Sequence, residues 1–468
     1  MPSMVQRYLD QIALTCVDAD EGQVADYIPE LGAVNPDQFG LALAMHRGSL
    51  YTVGDAHVPF TIQSVSKPLT YALALSLRGF DAVDAKLGVE PSGEAFNEIS
   101  VDPATHRPKN PMINAGAIVA ASLVCDPNDP AAGFARLLDC YSAFAGRSLV
   151  VDEAVYQSEK ATGARNRAIT YMLESLGILD VDPELAVDLY FRQCSVRVTA
   201  EDLAVIAATL AAGGNNPRTG REVCAPHIVR RVLSVMTTCG MYDGAGDWVS
   251  AVGLPAKSGV SGAVLAVLPG QLGIGVFSPR LDEHGNSVRG VTACRRLSSD
   301  LGLHMFNVVG EGRATVRSSY DIREVPSETP RDGRDEAILR ARRDRVRVYD
   351  LQGPLTFTSM ESVLQRLDSD SQRFDAAILN LGRVETADAL SRGMLFGMHA
   401  QLENSGRLGL VVDPDRVLSR EAGAWTLDAV RQGKLMAAVE SARTHVYPSL
   451  SEAVSAAEDF LLAGPRLR

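Results

Sequence analysis

The sequence predicts an α+β domain followed by a smaller α/β domain. A chain of 468 residues is too long for one ordinary hydrophobic core, which favours two domains. As far as about Val309, helical periods and short apolar runs are clustered rather than strictly alternating, as in α+β folds. In the last third, strand-like and helix-like segments alternate, which predicts βαβ units and a small, partly parallel sheet.

Local signals define elements of the first domain. The segment DLAVIAATLAAGG, residues 202–214, predicts a buried helix that ends at glycines, and Thr199 is placed to cap its N-terminus. The segments SGAVLAVLPG (261–270) and GQLGIGVFSPRLD (270–282) predict two adjacent strands, because each is short, apolar and bounded by Gly or Pro.

The boundary between the domains falls in a polar stretch. Residues 311–343 contain Pro326, Pro330 and mixed charges without a sustained apolar period. They therefore predict a linker between a first domain at 1–310 and a second at 344–463. The second domain is predicted to contain, in order, strand RVRVYDLQG, helix SMESVLQRL, strand FDAAILNLG, helix ADALSRGMLFGMHAQLENSG, strand RLGLVVDP and helix SEAVSAAEDFLLA.

Composition excludes several classes of function. The net charge of -12 argues against a nucleic-acid-binding protein, because phosphate neutralisation needs clustered cations. No apolar window reaches the length of a membrane span and the N-terminus lacks a signal-peptide pattern, so we expect a cytoplasmic protein without membrane contact. Seven cysteines without a C-x-x-C pair predict reduced, buried thiols. The eight histidines lack metal-binding spacing, so we expect no metal.

The stretch FTIQSVSKPLTYALALSLRG, residues 60–79, places a serine three residues before a lysine at the head of an apolar run. A lysine one helical turn after a serine lies on the same helix face, where a neutral amine can remove the hydroxyl proton and create a nucleophile. The apolar neighbours of Lys67 favour the neutral amine through desolvation. The alternative is that Ser64 or Ser66 caps a helix and Lys67 occupies its exposed first turns.

A second motif favours the nucleophile. Class A β-lactamases and penicillin-binding proteins combine Ser-x-x-Lys with a Lys-Thr-Gly-like element on a neighbouring strand edge. Lys257, Ser258 and Gly259 supply such an element at the start of a predicted strand. The chain has only six lysines, and one of them lies in each of the two motifs, which is unlikely to be a coincidence.

Five longer segments resemble the β-lactamase-related glutaminase family, namely NPMINAGAI (110–118), SEKATGARNRA (158–168), DLYFRQCS (188–195), CGMYD (239–243) and AKSGVSG (256–262). The similarity extends from about Tyr27 to Val309. It implies a β-lactamase-like domain with an antiparallel sheet, flanking helices and a helical subdomain. It also implies hydrolysis of L-glutamine to L-glutamate and ammonia without a metal or an organic cofactor.

The resemblance assigns roles to individual residues. It implies Ser64 as the nucleophile, Lys67 as its activating partner and Tyr242 as a second proton carrier, and whether Lys67 or Tyr242 takes the serine proton stays open. Val260 would contribute a backbone N–H to an oxyanion hole, with the N–H of Ser64 as its partner. The residues implied to hold substrate are Tyr27, Ser64, Asn114, Glu159, Asn166, Tyr190, Tyr242 and Val260. Their chemistry suits glutamine, because an α-ammonium needs an acidic group and an α-carboxylate needs donors.

The second domain resembles the STAS domain of anti-sigma factor antagonists and sulfate transporters. In antagonists that act as switches, the helix after the second strand opens with an Asp followed by serines. This chain keeps Asp388 but has Ala389 and Leu390 where hydroxyls are expected, and Ser391 where a glycine is usual, which argues against phosphorylation. We expect either a regulatory or assembly-forming domain with a protein or small-ligand partner, or a passive stabilising appendage, in a homo-oligomer that is a dimer or a tetramer.

Two alternative functions remain at this point. The first is another serine acyl-transfer hydrolase of the β-lactamase fold, such as a β-lactam hydrolase. Against it stand the missing export signal and the lack of a Ser-x-Asn or Tyr-x-Asn element. The second is a catalytically silent glutamine or small-ligand sensor that acts through the STAS-like domain. The intact set of Ser64, Lys67, Tyr242 and Lys257 argues against it, because a sensor needs no primed nucleophile.

Overall fold

The structure, a computed structural model, describes residues 4–92, 101–307, 315–325, 327–419 and 445–463. The chain divides into two compact units, Met1–Val308 and Val309–Arg468. Within the described ranges, none of the helices is long and apolar enough to cross a membrane. All seven cysteines lie in described segments as free thiols, and all except the half-buried Cys140 are buried, as expected.

The first unit mixes helices with short antiparallel strands. Its helices are α1 (Met4–Cys16), α2 (Pro29–Gly32), α3 (Lys67–Arg78), α4 (Phe80–Asp84), α5 (Asn114–Val124), α6 (Pro130–Ala145), α7 (Glu153–Thr162), α8 (Ala164–Ser175), α9 (Pro183–Cys194), α10 (Ala200–Ala211), α11 (Pro226–Cys239), α12 (Ala245–Ala251) and α13 (Val288–Leu301). Its strands are β1 (Gly40–Met45), β2 (Leu50–Gly54), β3 (Phe60–Thr61), β4 (Val150–Val151), β5 (Val196–Val198), β6 (Ala256–Gly259), β7 (Ala263–Leu268) and β8 (Leu272–Phe277).

An antiparallel sheet organises the first unit. Its strand order is β2-β1-β8-β7-β6, which puts β6 with the Lys257 motif at an edge. The predicted neighbouring strands are β7 and β8, which pair antiparallel with Ala263 opposite Phe277 and Leu268 opposite Leu272. A smaller sheet, β3-β5-β4, lies at the entrance to α3. The strand that precedes the Ser64 turn is thus anchored by pairing of Phe60 with Val198.

The predicted helix at 202–214 is α10, and it packs on the centre of the large sheet. Its N-terminus carries a capping box in which Thr199 and Asp202 exchange side-chain and backbone hydrogen bonds, so the predicted cap is confirmed. Small residues allow the close approach, because a Cβ at Gly273 of β8 would overlap the backbone of Ala208. The sheet and α10 therefore form a rigid layer on which β6 is fixed.

The second unit is built on a partly parallel sheet, as predicted. Its strands β9 (Val316–Asp321), β10 (Val346–Leu355), β11 (Ala376–Ala387), β12 (Leu408–Val412) and β13 (Val446–Tyr447) have the order β13-β12-β11-β10-β9. Strands β10 to β13 pair in parallel, and β9 pairs antiparallel with β10. The helices are α14 (Gly333–Arg342), α15 (Phe357–Ser369), α16 (Ala389–Asn404) and α17 (Leu450–Ala463). The alternating strands and helices predicted for 344–463 are therefore confirmed.

The prediction of a linker at 311–343 is wrong, because β9 and α14 lie within it. The strand β9 is an edge strand whose residues are mostly half-buried, and it is held by pairing with β10, with Tyr320 opposite Val348. Helix α14 buries Leu339 alone among its residues. Neither element has the apolar period on which a sequence-based prediction depends.

Helix α16 begins next to the residues compared with the STAS phosphorylation motif. Asp388 is its N-cap residue, and the Asp388 carboxylate accepts a hydrogen bond of 2.7 Å from the Ser391 backbone N–H. Ser391 is fully buried. A carboxylate that caps the helix and a buried hydroxyl both argue against phosphorylation at this helix start, in agreement with the sequence.

Candidate active site

Ser64 lies in a 3₁₀ turn, Gln63–Ser66, between β3 and α3. Its side chain is buried, with 6% of the residue exposed. Within the described residues, Ser66 occupies the N-cap position of α3 without a side-chain capping bond, and its hydroxyl instead donates to the Gln63 carbonyl. Lys67 is fully buried rather than exposed in a first turn. The helix-cap alternative for this motif is therefore wrong.

The Lys67 amine is held in a dry site. Its Nζ donates hydrogen bonds to the Met112 carbonyl at 3.2 Å and to Oδ1 of Asn114 at 2.7 Å. Burial lowers the pKa of Lys67 to about 8. A neutral amine has two N–H groups and one lone pair, so these two acceptors leave the lone pair available to receive a proton.

Tyr242 lies directly beside the nucleophile. It begins a 3₁₀ turn, Tyr242–Gly244, with a left-handed φ of 54°, a strained conformation for a tyrosine. Its hydroxyl donates to the Ser258 carbonyl at 3.1 Å. Burial raises the pKa of Tyr242, and a hydrogen bond with the Ser64 side chain opposes this rise. The structure thus brings the Ser64 and Tyr242 hydroxyls together, with Tyr242 as a neutral phenol.

Lys257 completes this group from the edge strand β6. It is fully buried, its Nζ donates to the Ser258 carbonyl at 2.6 Å, and it lies 4.1 Å from the centroid of the Tyr242 ring. Burial and the nearby charge of Lys67 lower the pKa of Lys257 well below its usual range. The Ser258 carbonyl accordingly receives hydrogen bonds from both Lys257 and Tyr242.

The end of β6 lies against the nucleophile turn. A Cβ at Gly259 would be 3.1 Å from Cγ2 of Val65 and 3.3 Å from the Ile62 carbonyl oxygen, so glycine permits this contact. Val260 follows directly and is half-buried. Its predicted contribution, a backbone N–H, therefore lies on the segment that contacts the Ser64 turn.

Glu159 forms the acidic part of the site. It lies in α7, is 5% exposed, and accepts hydrogen bonds from the Tyr27 hydroxyl at 2.7 Å and from Nε2 of Gln63 at 3.2 Å. Burial raises the pKa of Glu159, and these two hydrogen bonds oppose the rise. Burial of the hydroxyl and the Glu159 carboxylate raise the pKa of Tyr27, although 48% of the residue as a whole is exposed.

The remaining predicted substrate residues lie between the Lys67 amine and the Glu159 carboxylate. Nδ2 of Asn114 donates to Oδ1 of Asn166 at 3.0 Å, so Asn114 connects Lys67 with α8. Tyr190 is buried in α9, and burial is the main cause of its raised pKa. The structure therefore gathers the predicted residues Tyr27, Ser64, Lys67, Asn114, Glu159, Asn166, Tyr190, Tyr242, Lys257 and Ser258 in one connected region, with Gly259 and Val260 at its border.

Sequence reasoning missed Gln63 and Gln193. Gln63 has a left-handed φ of 47° and joins the nucleophile turn to Glu159 and Tyr27. Gln193 is fully buried and donates to the Ser66 hydroxyl at 3.3 Å. A polar residue directly before the nucleophile was the available signal for Gln63, whereas an amide within DLYFRQCS gave none for Gln193. Among the described residues, no group of three potential metal-ligating side chains is present.

Comparison with known proteins identifies the family. The model of the Glutaminase family matches residues 22–306. Glutaminase 2 of Bradyrhizobium diazoefficiens is 45% identical over 438 residues, which are 94% of this chain and 68% of that protein. Glutaminase 1 of the same organism is 48% identical over 81% of this chain, which spans 61% of that protein, less than two thirds of its length. A crystal structure of Mglu matches with a TM-score of 0.65 and 44% identity, covering 89% of this chain and 100% of that chain.

These findings bear on the predicted fold and activity. The mixed α+β fold is confirmed, and the similarity to solved glutaminase structures is consistent with the predicted β-lactamase-like fold. The predicted activity, an amidohydrolase that converts glutamine to glutamate, is confirmed as well. The chain belongs to the glutaminase family.

Proposed function

We propose that this protein hydrolyses the side-chain amide of L-glutamine through a seryl acyl-enzyme formed on Ser64. The observation that carries the proposal is the arrangement around the hydroxyl of Ser64, which lies beside the Tyr242 hydroxyl and three residues before a buried amine. Lys67 donates to Met112 and Asn114 and retains a lone pair. A serine hydroxyl hydrogen-bonded to a phenol, with a desolvated amine three residues later, supplies the groups that an activated nucleophile requires.

The reaction proceeds in two halves. Oγ of Ser64 attacks the amide carbon, and its proton passes to Nζ of Lys67, directly or through the Tyr242 hydroxyl. The tetrahedral intermediate then collapses as the C–N bond breaks, and the nitrogen takes the proton back and leaves as ammonia. Water attacks the resulting glutamyl ester with its proton going to the same amine. Glutamate leaves and Ser64 recovers its proton.

We assign the proton acceptor as Lys67 rather than Tyr242. Burial lowers the pKa of Lys67 to about 8, so a useful fraction of the amine is neutral near neutral pH. Burial raises the pKa of Tyr242, which keeps its phenol protonated. Tyr242 is therefore suited to pass or donate a proton to the leaving nitrogen.

Glu159 binds the α-ammonium of glutamine. Its described hydrogen-bond donors, Tyr27 and Gln63, are neutral, so its buried carboxylate has no compensating charge within the described part of the chain. A substrate ammonium supplies that charge. Asn114, Asn166 and Tyr190 provide neutral polar groups for the rest of the substrate, and the Ser64 and Val260 N–H groups receive the oxyanion.

The nucleophile is tested by comparing the wild type with Ser64→Ala. We expect the wild type to release ammonia from L-glutamine and, with hydroxylamine present, to form γ-glutamyl hydroxamate from the acyl-enzyme. The alanine variant should fold with the same circular dichroism spectrum and do neither. Near-native ammonia release by folded Ser64→Ala would overturn the proposal. Hydroxamate formation that equals the uncatalysed rate in active wild type would also overturn it.

For the second unit we infer a STAS-like domain with a regulatory or assembly-forming role. Its partly parallel sheet and alternating helices support this. The match to Glutaminase 2 extends over 438 residues, more than the 308 of the first unit, so at least part of the second unit is shared with that relative. A cytoplasmic location and a homo-oligomer, dimer or tetramer, also remain predictions. Light scattering of the full chain and of a chain truncated after residue 308 tests the role in assembly.

A further inference from the structure

Ser66, the second serine of the SVSK segment, has no role in the mechanism described above. Its hydroxyl donates to the carbonyl oxygen of Gln63 at 2.5 Å. That carbonyl shares a peptide group with the N–H of Ser64. The peptide is trans, so the two groups point in opposite directions, and a bond that fixes the carbonyl also fixes the N–H.

The Gln63–Ser64 peptide needs a hydrogen bond that fixes its orientation. Gln63 has a φ of 47°, in the left-handed region that side-chain-bearing residues rarely adopt. Backbone in this region is retained when surrounding contacts hold it, and such positions concentrate at functional sites. The Gln63 side chain is itself held by Glu159 and Tyr27. The Ser66 hydroxyl supplies the corresponding restraint on the main chain.

The Ser66 hydroxyl is in turn oriented by a buried chain of polar groups. Because its one proton goes to Gln63, the Ser66 oxygen acts as acceptor for Nε2 of Gln193 at 3.3 Å. Oε1 of Gln193 accepts from the Thr70 hydroxyl at 2.7 Å. The Tyr141 hydroxyl lies 2.5 Å from the Thr70 oxygen and 3.1 Å from the Ser66 carbonyl oxygen.

Three of these hydrogen bonds run in one direction. The Thr70 hydroxyl donates to Gln193, whereas the Tyr141 phenol donates to the Ser66 carbonyl oxygen. The sequence of donors therefore runs from Thr70 through Gln193 and Ser66 to the Gln63 carbonyl. These three side chains and that of Tyr141 are fully buried, which restricts exchange with water. Hydrogen bonds in such a chain polarise one another.

We propose that Ser66 is a positioning residue for the oxyanion hole, which orients and polarises the Gln63–Ser64 peptide so that the Ser64 N–H is a stronger donor to the developing oxyanion. Gln193, with Thr70 and Tyr141 behind it, keeps the Ser66 hydroxyl in that orientation. The inference rests on the proposed Ser64 mechanism. It concerns the transition state, because the negative oxygen forms only during the reaction.

A simpler explanation is available for the Ser66 bond. Serines in helices commonly donate to a carbonyl three or four residues earlier, without any functional role. Ser122 in α5 does so, donating to the Val119 carbonyl at 2.7 Å in a buried position. The Ser66 hydrogen bond differs because its acceptor is the carbonyl of Gln63, a residue with left-handed backbone that directly precedes the nucleophile Ser64. Ser122 therefore provides a matched control.

The experiment compares Ser66→Ala, Gln193→Met, Ser122→Ala and Ser64→Ala in the full-length protein, after thermal unfolding has shown that each is folded. For Ser66→Ala we expect kcat to fall roughly 10-fold to 100-fold, somewhat less than for loss of a whole oxyanion donor, with KM within about twofold. Gln193→Met should lower kcat by a smaller factor. Ser122→Ala should match the wild type. The dissociation constant of L-glutamate, measured by calorimetry, should not change in the Ser66 and Gln193 variants.

The results separate the possible failures. Two results for folded Ser66→Ala would overturn the inference while Ser64→Ala stays inactive. One is a wild-type kcat, and the other is a rise in KM and in the L-glutamate dissociation constant without a fall in kcat. Activity of Ser64→Ala would instead overturn the underlying serine mechanism. If Ser66→Ala does not fold, Gln193→Met decides, because it disturbs the Ser66 hydroxyl without removing it. An unchanged kcat in Gln193→Met then counts against the inference.

Discussion

Two buried glutamates, Glu159 in the first unit and Glu458 in the second, are held by different kinds of partner. Glu458 is fully buried and forms ion pairs with Arg343 at 3.1 Å and with Arg331 at 3.6 Å. Glu159 is nearly as buried, but its described hydrogen-bond donors are the neutral groups of Tyr27 and Gln63. The charge of Glu458 is neutralised within the fold, whereas Glu159 has neutral donors alone among its described hydrogen-bond partners.

The lysines of the first unit also divide into those with charged partners and those with neutral partners. Lys86 and Lys160 are at least partly exposed and pair with carboxylates at 2.7 and 3.0 Å. Lys67 and Lys257 are fully buried, and their described acceptors are carbonyl and amide oxygens. An uncompensated buried charge is costly, because the interior solvates it poorly. Burial therefore lowers the pKa of both lysines, and ionisable groups perturbed in this way are candidates for a functional site.

The largest effect is expected for Lys67. Removal of the amine in Lys67→Met should lower kcat by roughly 100-fold to 10,000-fold, the usual contribution of a general base. The lysine must be neutral to act as base, and burial lowers its pKa to about 8, so kcat/KM of the wild type should rise with pH up to about 8 and then level off. The acid limb should vanish in the residual activity of Lys67→Met. A pH profile of wild type that is flat from neutral pH to pH 9 would contradict the assignment.

Glu458 should contribute to stability and not to substrate binding. Glu458→Gln leaves Arg331 and Arg343 without their buried partner and should lower the free energy of unfolding by about 3 kcal/mol in denaturant titrations. Asp459→Asn is the control, because its exposed carboxylate pairs with the same Arg331 and should cost about 1 kcal/mol or less. KM for glutamine should stay constant in both. Equal losses of unfolding free energy in Glu458→Gln and Asp459→Asn would contradict a special role for the buried carboxylate.

Glu159 should contribute to substrate binding and much less to stability. Glu159→Gln retains the volume but loses the charge, and we expect KM for L-glutamine to rise about 10-fold to 100-fold through loss of the charged hydrogen bond to the α-ammonium. Glutaramate, which is glutamine without the α-amino group, is the control substrate. Its kcat/KM should be nearly the same in wild type and variant. A parallel loss for both substrates would show that Glu159 does not bind the ammonium.

The smallest effect is expected for a single donor to Glu159. Tyr27→Phe removes the hydroxyl that donates at 2.7 Å, and KM should rise roughly fivefold, because one hydrogen bond of about 1 kcal/mol is lost. Tyr171→Phe is a matched control, since Tyr171 is equally exposed and donates to the surface carboxylate of Glu184 at 3.1 Å. Its kinetics should equal those of the wild type. Identical KM values in the two variants would contradict the role of Tyr27.

The parts of the fold that were predicted correctly are those with local signals. Helix α10 has an apolar face and a capping residue, and β7 and β8 are apolar segments with glycine and proline at their ends. Strand β9 was missed because its residues are held by pairing with β10, a partner that its own sequence does not reveal. Edge elements with little buried surface depend on such tertiary contacts.

Prediction of the site residues is likewise limited to those with a recognisable local pattern. The sequence singles out Ser64 and Lys67 through the Ser-x-x-Lys spacing, and Tyr242 through the resemblance of CGMYD to the glutaminase family. Gln63 and Gln193 are not singled out, because their roles arise from contacts with residues 96 and 127 positions away in the chain, Glu159 and Ser66. An amide side chain has no distinctive motif, and nothing in the local sequence indicates the left-handed backbone of Gln63.

A glutamyl ester on Ser64 is detectable by rapid acid quenching during turnover of L-glutamine, followed by mass spectrometry of proteolytic peptides. We expect a glutamyl group on the wild-type peptide that contains Ser64, lost when hydroxylamine is added and absent from Ser64→Ala. A glutamyl group on another residue, or glutamine turnover by Ser64→Ala, would contradict the proposed ester on Ser64.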